Sequence, residues 1–128
     1  MKVAVDTNVL VRYIVWDDES QARKAEELIE SADTIVLSTI VLCEAVWVLS
    51  KAYRYKNGEI VEVITDLIGS SNVEVDRAAA EAGLSMLVRS GDFADGVIEH
   101  EAMKKGCSQL ATFDEEFAER LSPRLHRR

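Results

Sequence analysis

Apolar residues recur along this chain in two rhythms, short β-branched runs and longer stretches at helical spacing, and the two alternate. Residues 2–5 form a β-rich run that stops at Asp6-Thr7-Asn8, a strand end feeding a helix cap. A short helix through Tyr13 follows. Asp17-Asp18-Glu19-Ser20 opens a second helix, with Ala22, Ala25, Leu28 and Ile29 at helical spacing. Residues 34–37 read as a second strand, and Ser38 caps a long helix containing Glu44. Asn57-Gly58 breaks the chain before a helix marked by Ile60, Val61, Ile64, Leu67 and Ile68. Residues 73–75 make a brief third strand. Asp76 caps a helix with Ala80, Leu84, Leu87 and Val88 on one face, ended by Gly91. Asp92 caps the next, with Phe93, Val97, Ile98 and Ala102 inward, Lys104 and Lys105 in its last turn and Gly106 after it. Residues 109–111 form a fourth strand, followed by Thr112-Phe113-Asp114 and a short acidic helix.

Strands alternating with helices predict an α/β fold: a central parallel sheet of four short strands flanked by helices, since each parallel crossover needs an intervening element. In such sheets ligands bind beyond the carboxyl ends of the strands.

Composition narrows the class. The 128 residues suit one domain spanning 1–128, and 48% apolar content with one proline and six glycines argues for a compact, helix-rich globule. The apolar run from Thr34 to Ser50 falls short of the roughly 20 residues of a membrane span and carries a carboxylate. The N-terminus reaches Asp6 too soon for a signal peptide. Cys43 and Cys107 stand singly, without zinc-type spacing, which predicts a reduced, cytoplasmic protein. A formal charge of −8 argues against a conventional nucleic-acid binder. Divalent cations in an acidic pocket can nevertheless draw a phosphate to such a surface.

Glu44 is the single charge between Thr34 and Ser50, and no Lys or Arg lies between Lys24 and Lys51. A carboxylate in that setting is expected to lose hydration and to need a proton, a distant base or a metal. Asp6 follows the first strand, Glu44 the second and Asp114 the fourth, so a parallel sheet sends all three from one edge. Asp95 joins them if its helix begins there. Taken singly, Asp6, Asp92 and Asp114 are plausible helix caps, and Asp92-x-x-Asp95 resembles a capping box. Together, carboxylates gathered at one edge repel by roughly 4 kcal/mol per close pair at an intermediate dielectric. A hard divalent cation resolves that conflict, because magnesium and manganese prefer carboxylate and water oxygens. No Gly-rich phosphate loop competes, and His100 and His126 stand outside the set. Such a cluster suits metal-assisted attack on a phosphodiester.

Asp6-Thr7-Asn8-Val9-Leu10, Glu44 after Leu37-Ser38, Asp92-Phe93-Ala94-Asp95 and Thr112-Phe113-Asp114, in this order, resemble a PIN-domain ribonuclease. More narrowly, they resemble the VapC-type toxins of toxin–antitoxin pairs. The resemblance covers nearly the whole chain. It implies that Asp6, Glu44, Asp95 and Asp114 bind Mg2+ or Mn2+ and carry catalysis. Thr7, Asn8 and Thr112 then orient them by hydrogen bonds, and Asp92 is either an extra acid or only a cap, the cap being favoured. It further implies an RNA substrate, a homodimer, a cognate antitoxin and no membrane. The family usually ends in a further strand. Here the chain closes on Ser122-Pro123-Arg124-Leu125-His126-Arg127-Arg128, which predicts a fifth strand that is short or absent and a loose tail over 122–128.

Two other classes compete. A magnesium-dependent phosphoaspartyl protein, phosphatase or receiver, also wants an Asp after strand one. The phosphatase needs a second Asp where Asn8 stands, and the receiver needs a Lys that does not follow Ala111. The other is a non-catalytic interaction module in which the acids are only caps.

Overall fold

The computed structural model describes all residues, Met1–Arg128. The chain forms two compact units, Met1–Asp76 and Arg77–Arg128.

The first unit is built on a parallel sheet of β1 (Lys2–Ala4), β2 (Thr34–Leu37) and β3 (Val73–Val75), with β2 in the centre. Val3 lies beside Ile35, and Val36 beside Glu74. β2 alternates, burying Ile35 and Leu37. Four helices accompany it: α1 (Thr7–Val15), α2 (Glu19–Ser31), α3 (Thr39–Lys51) and α4 (Asn57–Ile68). Each has a chemical start. Asp6 accepts from the Val9 N–H, Asp18 from Gln21 and Ser38 from Val41, while Glu59 accepts from the Lys56 N–H. α1 ends on Trp16 in a left-handed conformation (φ 60°), its ring partly exposed. Leu10, Ile35, Leu37, Leu42, Leu49, Ile60 and Ile64 fill the core.

The second unit comprises α5 (Arg77–Val88), α6 (Phe93–Lys104), β4 (Gln109–Leu110), α7 (Glu115–Arg120) and β5 (His126–Arg127). α5 and α6 pack unusually closely, and glycine makes this possible. A Cβ at Gly83 would press into the Phe93 ring at 2.5 Å, and one at Gly96 would overlap the Ala82 carbonyl oxygen. The faces expected of the two helices are met at Ala80, Leu87, Phe93 and Val97 but not at Val88 and Ile98. α5 buries Ala79, Ala80, Gly83, Met86 and Leu87 while Val88 is exposed; α6 buries Glu99 where Ile98 was expected inward.

The sheet differs from the single four-stranded one expected. β4 pairs with β5, in parallel, as a separate two-stranded sheet. β4 is only two residues long, and the chain end takes up its bonding: His126 N–H donates to the Ser108 carbonyl and Arg128 N–H to that of Leu110. A fifth strand therefore forms, and it is short. The tail that carries it is packed, with Leu125 buried against Met86, Leu110 and Phe117.

Candidate active site

In the first unit, the parallel register brings Asp6 and the start of the helix that carries Glu44 to one sheet edge. Ala4 pairs with Val36, so Asp6 and Ser38 lie equally far past the paired residues of β1 and β2. Asp6 is the N-cap of α1, exposed, with one carboxylate oxygen accepting from Val9 at 3.0 Å. It opens onto a cleft of about 320 Å3 lined by Asn8, Val9, Arg12, Lys24 and Leu28. Thr7 and Asn8, expected to orient the acids, make no side-chain hydrogen bond. Arg12 is tied down: it donates to Gln21 at 2.8 Å, to Asp17 at 3.0 Å and to the Tyr53 hydroxyl at 3.1 Å. The Tyr53 hydroxyl in turn donates to Asp17 at 2.6 Å. That bond, ahead of the Arg12 charge and against some burial, holds the Asp17 carboxyl below its ordinary range.

Glu44 corrects the sequence reading. It is exposed, not stripped of water, and it forms no ion pair. α3 buries Leu42, Ala45, Val46 and Leu49, and the opposite face turns Ile40, Glu44 and Trp47 to solvent. At helical spacing these three share a stripe. The helix is apolar nearly all round, so its sequence conceals which side is wet.

In the second unit, the charges of Asp92 and Asp114 bear on Asp95. Asp95 lies in the first turn of α6 and is half-buried. Burial first, then the charges of Asp92 and Asp114, push its carboxyl above the ordinary carboxylate range; the Arg120 charge opposes them. Asp92 occupies the N-cap position of α6, yet its side chain caps nothing. Its charge therefore bears on Asp95 in place of the capping role expected of it. Asp114 caps α7, accepting from Phe117 at 3.1 Å. Thr112 fixes the turn that carries it, accepting from the Asp114 N–H at 3.0 Å. Asp114 follows β4, which is outside the three-stranded sheet, so the shared-edge argument reaches Asp6 and the start of α3 but not Asp114.

Two supporting residues escaped the sequence reading. Glu99 is the one buried charged side chain. It accepts from the Ser122 N–H at 2.9 Å and pairs with Arg89 at 3.5 Å, anchoring the chain beyond α7 to α6. Arg120 donates through Nε to the Arg89 carbonyl at 3.0 Å, and Arg89 donates to the Arg120 carbonyl in return. The available signal was spacing. Glu99 lies one turn beyond Asp95, which places both on one side of α6.

The expected acids are all hard oxygen donors, and the repulsion that Asp92 and Asp114 impose on Asp95 is of the kind a divalent cation relieves. Donor type and charge fit magnesium or manganese. No three His, Cys, Asp or Glu side chains stand close enough together to hold an ion as they are. No helix is long and apolar enough to cross a membrane.

The PIN domain family model matches residues 3–120. Among curated proteins, a VapC ribonuclease from Aquifex aeolicus is 25% identical over 118 residues, covering 88% of this chain and 87% of the relative.

Proposed function

Since the chain belongs to the PIN domain family, matched over residues 3–120, we propose that it is a metal-dependent endoribonuclease of VapC type, the toxin of a toxin–antitoxin pair. Asp6, Glu44, Asp95 and Asp114 are the acids we assign to Mg2+ or Mn2+, and they would hold it only once drawn together by the ion. When bound, a divalent ion supplies positive charge for the phosphate and acidity to a water. The protein does the rest. Asp6 and Glu44 lie beyond the carboxyl ends of adjacent parallel strands, where open α/β sheets bind ligands. Asp114 is held by its Thr112 turn, with Thr7 and Asn8 beside Asp6. In-line attack on the phosphodiester would leave a 5′-phosphate and a 3′-hydroxyl.

The observation that carries this reading is Asp95, half-buried in the first turn of α6, its carboxyl raised first by that burial and then by the charges of Asp92 and Asp114. A perturbed carboxylate beside like charges is a mark of functional sites. The reading extends to a cytoplasmic homodimer kept inactive by a cognate antitoxin; the exposed Ile40 and Trp47 of α3 support a surface that is covered in an assembly.

The test is cleavage of structured RNA by purified protein. Cutting should require Mg2+ or Mn2+, stop with EDTA, and disappear in Asp6→Asn and Asp95→Asn with the fold intact. Undiminished cutting by either variant would remove that residue from the site. Induction should arrest growth unless the antitoxin is supplied, and sequencing the RNA ends made on brief induction identifies the target.

A further inference from the structure

Phe113 is the most exposed large apolar side chain of the protein, at 102% of its reference exposure. It stands between Thr112 and Asp114 on a turn that is held on both sides. The Asp114 N–H donates to the Thr112 hydroxyl at 3.0 Å, Arg127 donates to the Thr112 carbonyl at 3.0 Å, and Asp114 itself caps α7. A ring that faces water from a fixed turn is poised for an external partner, with little ordering left to do.

The surroundings discriminate between partners. Ala111, Asp114, Glu115 and Glu116 along the same segment are exposed, and Arg127, exposed as well, pairs with Glu115 beside the turn, so the ring stands alone among small and charged residues with a cation within the turn's own contacts. A protein partner wants a contiguous apolar patch. A nucleobase wants a single π-face, whatever its sequence, and stacks on lone aromatics in single-stranded or looped RNA.

We propose that Phe113 is a stacking platform for an unpaired base of the RNA, seating the nucleotide next to Asp114. This rests on the nuclease reading and deepens it: the substrate is RNA with an unstacked base at the cut, such as a hairpin loop. Phe113 is a binding residue and takes no part in the chemistry.

The experiment uses the full chain with hairpin RNAs carrying 2-aminopurine at successive loop positions, in Ca2+ for binding and Mg2+ for cleavage. Stacking on Phe113 should quench the fluorescence of one loop position. Phe113→Ala should abolish that quench, weaken binding about tenfold and raise KM with kcat largely kept. Phe113→Trp should restore all three. Phe113→Leu, apolar but without a π-face, should behave as Ala. Because the side chain is fully exposed, the melting temperature should not move in any variant. Wild-type binding that Phe113→Ala leaves unchanged, or a Leu variant as good as Phe, would overturn stacking while leaving the nuclease reading standing. So would loss of self-association in Phe113→Ala with RNA binding intact, which would assign the ring to a protein interface. Wild-type protein that neither binds nor cuts RNA would overturn both.

Discussion

The two units present their acids by different physical means. In Met1–Asp76 the parallel register of β1 and β2 carries Asp6 and the α3 cap to one edge, and the candidate acids of this unit, Asp6 and Glu44, face solvent. In Arg77–Arg128 no long sheet does this work. There a close helix pair, a buried Glu99 and a two-residue strand pair set a half-buried Asp95 among like charges. The first unit leaves its acids exposed, whereas side-chain packing in the second half-buries Asp95 where ionisation is costly. The second arrangement is the more fragile and the more informative.

The largest expected break in this contrast is Gly96→Ala. Its methyl group would meet the Ala82 carbonyl and the Met86 side chain, neither of which can give way cheaply. A loss of about 3 kcal/mol follows, at the upper end for overpacking. Thermal melts measure the loss, and hydrogen exchange locates it. Protection should fall first in α5 and α6, while β1 and β2 hold longer. Equal acceleration throughout would mean that the units unfold as one and that the contrast ends at local geometry.

Glu99→Ala should cost somewhat less, about 2 kcal/mol, because it strands the Ser122 N–H and leaves Arg89 without its carboxylate. Arg89 is about one third exposed and can recover water, which limits the loss. Glu99→Gln keeps an acceptor for Ser122 and should recover part of the stability. A melting temperature for Glu99→Ala equal to wild type would show that the tail is not held by this residue.

How much of this was legible beforehand follows the same division. Strands 2–5, 34–37 and 73–75 and the caps Asp6, Asp18 and Ser38 announce themselves locally, through β-branched runs and side chains that can bond the next turn. The parallel arrangement followed from alternation alone. Three features resisted. The apolar stretch around Glu44 implied burial, yet a helix within it still has a wet side, and only packing decides which. The pairing of β4 with the chain end depends on contacts between residues far apart in sequence, which no local pattern encodes. Gly83 and Gly96 sit inside helices that glycine disfavours by roughly 1 kcal/mol each, and such a penalty signals close approach without saying to what. All four candidate acids could be named from the sequence; the burial that distinguishes Asp95 from Asp6 could not.

The contrast sharpens with Asp95→Asn. Burial, Asp92 and Asp114 raise the folded carboxyl above its ordinary value of 3.8, so the folded state favours the protonated form. Its contribution is then fully present below pH 3.8 and is lost as the pH rises through the raised value. Asparagine imitates the neutral form at every pH. The variant expected to lose cutting should therefore melt higher than wild type at pH 7, and the gain should vanish near pH 3. Divalent metal should raise the wild-type melting temperature and leave that of the variant nearly unchanged.

The smallest effect belongs to the opposite case, Tyr53→Phe. Asp17 lies below its ordinary value of 3.8 because the Tyr53 hydroxyl donates to it, with the Arg12 charge adding. A lowered carboxyl contributes stability above pH 3.8 that disappears as the pH falls through the folded value. Removing the hydroxyl should move the Asp17 titration, followed by NMR of its side-chain carboxyl, back toward that ordinary value. The melting temperature at pH 7 should drop only slightly, since the pair is open to water and screened. The two variants then respond to acid with opposite signs. Asp95→Asn gives up its advantage on acidification, and Tyr53→Phe gives up its deficit. If both gaps instead moved the same way, the pH response would belong to the overall charge of −8 and not to the local placement of each acid.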